Sequence, residues 1–151
     1  MKLSTKARYA VTAMMALAIH RDQGPLRLSE IASSQHISLS YLEQLFARLR
    51  EEDLVKGRRG PGGGFVLARE AEQISVAEIV GAVNSENMLT TGINPYETEL
   101  NAHALSKKMW SKLSHQIYDF LNGITLADFV RDAEARGELP QINRQAGRSV
   151  A

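Results

Sequence analysis

The segment "SLSYLEQLFARLREEDLVKGRRGPGGGFVLARE", residues 38–70, constrains this chain most. Leu42, Leu45, Phe46 and Leu49 recur at the i, i+3, i+4, i+7 spacing of a helix with one buried face. Ser40, Tyr41, Glu43, Gln44, Ala47, Arg48 and Glu51 occupy the opposite face. The helix runs, without a linker, into "LVKGR" and "GFVLAR". These are short β-prone runs joined by a glycine–proline stretch, and together they read as a hairpin. Just upstream, Leu26 and Leu28 flank Arg27 in an alternating piece that reads as a single strand. Ser29 is then expected to cap a short helix carrying Ile31 and Ala32. "HIS" at 36–38 is a turn, and the longer helix starts near Ser38 or Ser40. A short helix, a tight turn, a longer helix and a hairpin in that order make a winged helix-turn-helix. The expected class is mainly α with a small β-hairpin wing.

The remaining chain fits around that unit. "STKARYAVTAMMALAIHRD" is an amphipathic helix with Ser4 or Thr5 as its cap and apolar Tyr9, Val11, Met14, Met15, Leu17 and Ala18. "DQGP" ends it. "ISVAEIVGAVN" is a helix capped by Ser75, with Val76, Ile79, Val80 and Val83 inward. Residues 84–98 have no period and read as a loop. A long helix follows, with Leu105, Met109, Leu113, Ile117 and Leu121 every four residues and Trp110 and Phe120 beside them. Asn122-Gly123 close it, and Thr125 caps a last helix with Leu126, Phe129 and Val130. The expected organisation is a winged-helix domain over 1–83, a loop over 84–98, two helices over 99–135, and a disordered tail over 136–151.

The sequence contains no cysteine, so disulfides, thiolate nucleophiles and thiolate metal sites are excluded. No run approaches the roughly 20 apolar residues that span a bilayer, and no leader pattern is present; a cytoplasmic protein without a membrane partner is expected. The net charge is only +1, but it is unevenly spread. Residues 1–64 hold ten Lys/Arg against six Asp/Glu, and residues 65–151 hold eight against eleven. The positive half is N-terminal, with the glycine stretch at its edge, as a nucleic-acid face would require. No convergent acid–base pair or nucleophile motif is present, so an enzyme is not expected.

In "RRGPGGGF" the glycines lead into a strand rather than a helix, and no Lys-Ser/Thr follows. A nucleotide-phosphate loop is therefore disfavoured. As a structural element the stretch is simply a hairpin turn. As a wing tip it does more: Gly60, Gly62 and Gly63 let backbone approach phosphates, and Arg58 and Arg59 flank them. An arginine there can enter a narrow minor groove. The helix after the turn would then present Ser40, Tyr41, Glu43 and Gln44 to base edges. Glu43 is repelled by phosphate unless it accepts from cytosine N4; otherwise it is a solvated residue near a helix N-terminus. Tyr41 either packs on a sugar or thymine methyl, or caps the core. Lys2, Ser4, Thr5 and Lys6 are candidate phosphate contacts beside the first helix's N-terminus.

"KARYAVTAM", "ISLSYLEQLFARLR", "LVKGRRGPGGGF" and "FLNGITL" resemble the Rrf2 family of bacterial winged-helix repressors, most of all its IscR-like branch of iron–sulfur assembly regulators. The match runs from Lys2 to about Val130. The resemblance implies a homodimer on a twofold-symmetric duplex DNA site, held by the long helix through Leu105, Met109, Trp110, Leu113, Ile117, Phe120 and Leu121. It also implies that Glu43 reads a cytosine with help from Ser40 and Tyr41, and that Arg59 enters the minor groove. The family's cluster is held by three cysteines and a histidine; the matching positions here are Gly92, Thr98, Ala104 and Lys107. None can supply thiolate, so no cofactor is expected. His103 and His115, with Glu97 and Glu99, are a conceivable but less favoured metal set. His36 stands where the turn often carries glycine, and histidine tolerates that left-handed backbone better than branched residues. The alternative function is a winged-helix module that binds a ligand or protein and uses DNA little. Its small-molecule effector would enter a pocket near Met88, Tyr96 and Trp110.

Overall fold

The structure, a computed structural model, describes residues 4–84 and 101–138. Six α-helices and one two-stranded antiparallel sheet are present among the described residues. The first helix, α1 (Thr5–Ile19), is the hub against which the third, fourth and sixth helices and the second strand pack. Ala7, Ala10 and Ala13 are each 0% exposed. Their small side chains let neighbouring backbones come close, so alanine supplies much of a contact surface that the larger apolar residues suggest less directly. Ser4 caps the helix by accepting from the Ala7 N–H at 3.2 Å.

The second helix, α2 (Leu28–Gln35), begins one residue before the Ser29 cap expected from sequence. Arg27 occupies the cap position, and its N–H donates to the Glu30 carboxylate at 2.9 Å. Ser29 is inside the first turn. The expected strand over 26–28 shrinks to one residue for the same reason. Leu26 exchanges two backbone hydrogen bonds with Phe65, at 3.0 and 2.8 Å, and Leu28 is already helical. His36 ends α2 in the left-handed region, with φ 54° and ψ 42°. Ser38 then caps α3 (Leu39–Glu51), accepting from the Tyr41 N–H at 3.3 Å.

The wing pairs β1 (Val55–Arg58) with β2 (Gly64–Leu67), in the register Val55 to Leu67 and Arg58 to Gly64. The next helix, α4 (Val76–Val83), has the expected Ser75 cap, and Val76, Ile79, Val80 and Val83 are buried. Glu78 closes a capping box there, accepting from the Ser75 N–H at 2.9 Å. The long helix, α5 (Asn101–Asn122), is followed by α6 (Leu126–Arg136). Thr125 caps α6, and backbone bonds from Val76 to Ile124 and from Leu126 to Ile74 tie its start to that of α4. Leu126 and Ala127 lie in the same core as α1. The tail expected to be disordered lies, beyond Glu138, outside the described residues.

Candidate nucleic-acid interface

The two faces of α3 divide as their residue types require. Leu42, Leu45, Phe46 and Leu49 are at most 1% exposed, while Ser40, Glu43 and Gln44 are exposed. Glu43 makes no ion pair or hydrogen bond among the described residues. Its carboxylate is left facing outward near the positive end of a helix. Ser40 Oγ lies 3.0 Å from Ser38 Oγ, so its hydroxyl is shared with the cap. Tyr41 is half-buried, its ring meeting Tyr9 edge-on at 6.0 Å. That contact fixes the first turn of α3 against α1 and gives Tyr41 the core-capping role, with only part of its ring open.

The wing is fixed to this helix. Phe46 and Phe65 meet edge-to-face at 5.0 Å, and Leu54 donates back to the Leu49 carbonyl at 3.0 Å. The hairpin therefore cannot swing independently of α3. At its tip the Gly63 N–H donates to the Gly60 carbonyl at 2.9 Å. Gly63 has no N–H left for a phosphate, whereas Gly62, at φ 75° with open space around it, remains free to be approached. Gly64 is required by packing: a Cβ there would sit 2.4 Å from the Leu26 carbonyl oxygen. Half of the glycine signal is thus explained by the wing's own construction. Arg58 and Arg59 are exposed beside the tip.

The other sequence candidates are less uniform. The Ser4 hydroxyl accepts from Ala7 and lies 3.2 Å from Asn84 Oδ1, to which it donates. No donor remains on it for a phosphate. Thr5 is exposed and Lys6 half-buried at the same helix end, and Lys2 lies outside the described residues. Leu39 is an exposed residue at the start of α3 that the periodicity hides. It continues the apolar stripe, seven residues before Phe46, yet is 42% exposed because it is the first residue of α3 and overhangs the core.

On α5, Leu105, Met109, Trp110, Leu113 and Phe120 are 40–70% exposed, Ile117 is half-buried, and Leu121 packs against the chain's own core. Of the positions that match cluster ligands, Lys107 is exposed on α5, the side chain of Ala104 is not described, and Gly92 and Thr98 lie outside the described residues. The same holds for Met88 and Tyr96 of the expected effector pocket, and for Glu97 and Glu99. His115 Nδ1 is 2.8 Å from the Ser111 carbonyl of its own helix, and no group of three potential metal ligands occurs among the described residues. No helix among them is long and apolar enough to cross a membrane.

Comparison with known proteins agrees with this geometry. The Rrf2 family, described as iron-dependent transcriptional regulators, matches residues 3–132. The HTH-type transcriptional regulator IscR of Sodalis glossinidius is 46% identical over 145 residues, covering 96% of this chain and 86% of that protein. Among solved structures, T. potens IscR superposes with a TM-score of 0.74 at 38% identity, covering 93% of each chain. CymR, the global cysteine regulator of B. subtilis, gives a TM-score of 0.71 at 33% identity over 87% of this chain and 97% of its own.

Proposed function

This chain belongs to the Rrf2 family of DNA-binding transcriptional regulators, and we propose that it acts in the bacterial cytoplasm as a homodimer on a twofold-symmetric operator, without an iron–sulfur cluster. The exposed apolar seam of α5 carries this reading. Leu105, Met109, Leu113 and Phe120 fall within an arc of about 80° around the helix. Their exposures are 62%, 66%, 40% and 70%, and a seam of that kind is stable in water only against a partner. A second copy presenting the same seam satisfies it in a twofold arrangement. That arrangement doubles the winged helix and spaces two recognition helices for half-sites about one helical turn apart.

In this reading α3 enters the major groove. Glu43 accepts from a cytosine amine, Ser40, Tyr41 and Gln44 support it, and Leu39 meets a thymine methyl. Arg59 enters the minor groove; Arg58, Lys2, Thr5, Lys6 and the Gly60–Gly62 backbone meet phosphates. The iron–sulfur cluster that the IscR-like resemblance implies does not fit this chain. Cluster ligation rests on thiolate, the sequence contains none, and Lys107 places an ammonium group at one matching position.

Selection of the purified protein against random duplex DNA at near-physiological salt tests the proposal. Enrichment of a twofold-symmetric site is the expected result. Recovery of unselected sequence would leave only electrostatic binding and overturn it. On the recovered operator, Glu43→Ala should relax the preference at one base pair in each half-site while overall affinity stays equal or rises. Arg59→Ala should weaken binding and lower the slope of log affinity against log salt by about 1. An unchanged site preference for Glu43→Ala would remove Glu43 from base reading.

A further inference from the structure

A cavity of about 300 Å³ lies between the end of α1 and the inner side of the wing. That is the lower end of the size range of small-molecule sites, roughly 300–1,000 Å³, and suits a metabolite of few carbons. Leu17, Leu26, Phe65 and Leu67 form its apolar walls, and His20 and Arg58 are among its polar lining. His20 is only 5% exposed. Its Nδ1 lies 2.9 Å from the Ala16 carbonyl oxygen, which can only accept, so Nδ1 carries the hydrogen. On the neutral ring, Nε2 is then an acceptor without a protein partner among the described residues, and the atom keeps some contact with solvent. Water can donate to that acceptor, and a ligand hydroxyl in the cavity would take the water's place.

The charges around the cavity narrow the occupant further. Arg21 and Glu70 answer each other at 4.0 Å, and Arg69 is held by Glu78 at 3.1 Å. Arg58 is the one lining charge with no ion-pair partner among the described residues. The open groups are therefore one acceptor on the lining histidine and one cation, in a pocket with apolar walls.

We propose that this cavity is an effector site for a small hydroxy acid with an apolar body: its hydroxyl donates to His20 Nε2, its carboxylate pairs with Arg58, and occupancy withdraws Arg58 from DNA. The ligand site stands on the cavity alone; its regulatory consequence rests on the reading of Arg58 as a phosphate contact.

The test begins without DNA. The ¹⁵N-labelled full chain is titrated with lactate and mandelate. Phenylacetate, which lacks the hydroxyl, and mandelamide, which lacks the charge, serve as controls. Saturable shifts of the Leu26, Phe65 and Ala68 amides are expected with a hydroxy acid. Phenylacetate and mandelamide should each bind roughly tenfold more weakly or worse. In Arg58→Ala, a surface change that leaves the fold intact, mandelate should lose its advantage over mandelamide. If neither hydroxy acid shifts those amides, or if the controls bind equally well, the site is overturned. With an operator in hand, mandelate should lower the affinity of the unaltered protein and leave that of Arg58→Ala unchanged. Equal responses would overturn the regulatory link. Failure to find any operator would instead strike the DNA-binding proposal, because the titration reads the free protein.

Discussion

Helices α3 and α5 each carry an apolar stripe at helical spacing, but the stripes meet different surroundings. Leu42, Leu45, Phe46 and Leu49 of α3 are 0–1% exposed, while Leu105, Met109 and Leu113 of α5 are 62%, 66% and 40% exposed. The spacings differ as well. The alternation of three and four residues in α3 keeps its stripe within an arc of about 100°. The strict four-residue step in α5 turns the stripe by about 40° per step, or about 160° from Leu105 to Leu121. A stripe that spirals this far cannot stay on one neighbour. Its C-terminal end, at Leu121, packs on the chain's own core, Ile117 one step before it is half-buried, and the N-terminal end is exposed. Periodicity identifies an apolar face; its exact step decides whether that face has one neighbour or two.

The widest gap between the two helices should appear in truncation. Leu45→Ala removes side-chain volume from a closed core and should destabilise the fold by about 2–5 kcal/mol in urea denaturation. Leu113→Ala should leave the urea midpoint of the diluted protomer nearly unchanged. A comparable loss there would mean that α5 is covered by its own chain and would break the contrast. Leu113→Asp sharpens it. The far-UV circular dichroism should persist, sedimentation should show a monomer, and operator affinity should fall at least about 100-fold as the two half-sites lose their linkage. A Leu113→Asp protein that still sediments as a dimer would place the seam elsewhere.

The wing gives a smaller effect of the same kind, between a glycine held by packing and one held only by backbone angle. Gly64→Ala drives a Cβ against the Leu26 carbonyl, so the bridge to Phe65 must open; about 1–3 kcal/mol should be lost. Gly62→Ala meets no atom and bears only the strain of φ 75°, on the order of 1 kcal/mol. Equal losses in thermal denaturation would show that Leu26 does not anchor the wing.

These contrasts mark how far the sequence could be read. The stripe of α3, the Ser75 and Thr125 caps, the hairpin and the left-handed His36 all follow from local chemistry, and each is where that chemistry puts it; of the two starts open for α3, Ser38 rather than Ser40 is the cap. The α2 start was hidden because Ser29 is a better cap by residue type than Arg27. The deciding contact, Leu26 with Phe65, lies about forty residues away in sequence. Leu39 was hidden for the opposite reason: it matches the stripe, and only the helix's edge exposes it. Asp53, at φ 54°, gave no signal because aspartate tolerates that backbone in many settings. For the site, residue type showed which groups could meet DNA. It could not show that the Ser4 hydroxyl and the Gly63 N–H are already engaged, since both partners come from the folded chain.

The smallest expected effect compares the capping boxes of α4 and α6, joined through the bridge between Ser75 and Thr125. Burial raises the pKa of Glu78, but the Ser75 N–H bond and the Arg69 guanidinium outweigh it and hold the carboxyl below its ordinary value of 4.5. The Thr125 N–H and Arg131 likewise lower Asp128, whose side chain is 41% exposed. A carboxyl with a lowered folded pKa adds stability above its unfolded value, and that stability is lost as pH falls through the folded value. Because Glu78 is about a third exposed, solvent screening limits its share to below about 1 kcal/mol. Urea midpoints measured from neutral pH down to about pH 3 should therefore fall less steeply for Glu78→Gln than for the unaltered protein. Asp128→Asn should flatten the curve less, since its partner Arg131 is 67% exposed against 35% for Arg69, so water screens that pair more. If Glu78→Gln titrates along the unaltered curve, the Arg69 clamp adds nothing to the start of α4, and the packing of Val76, Ile79 and Val80 alone holds that helix against α1.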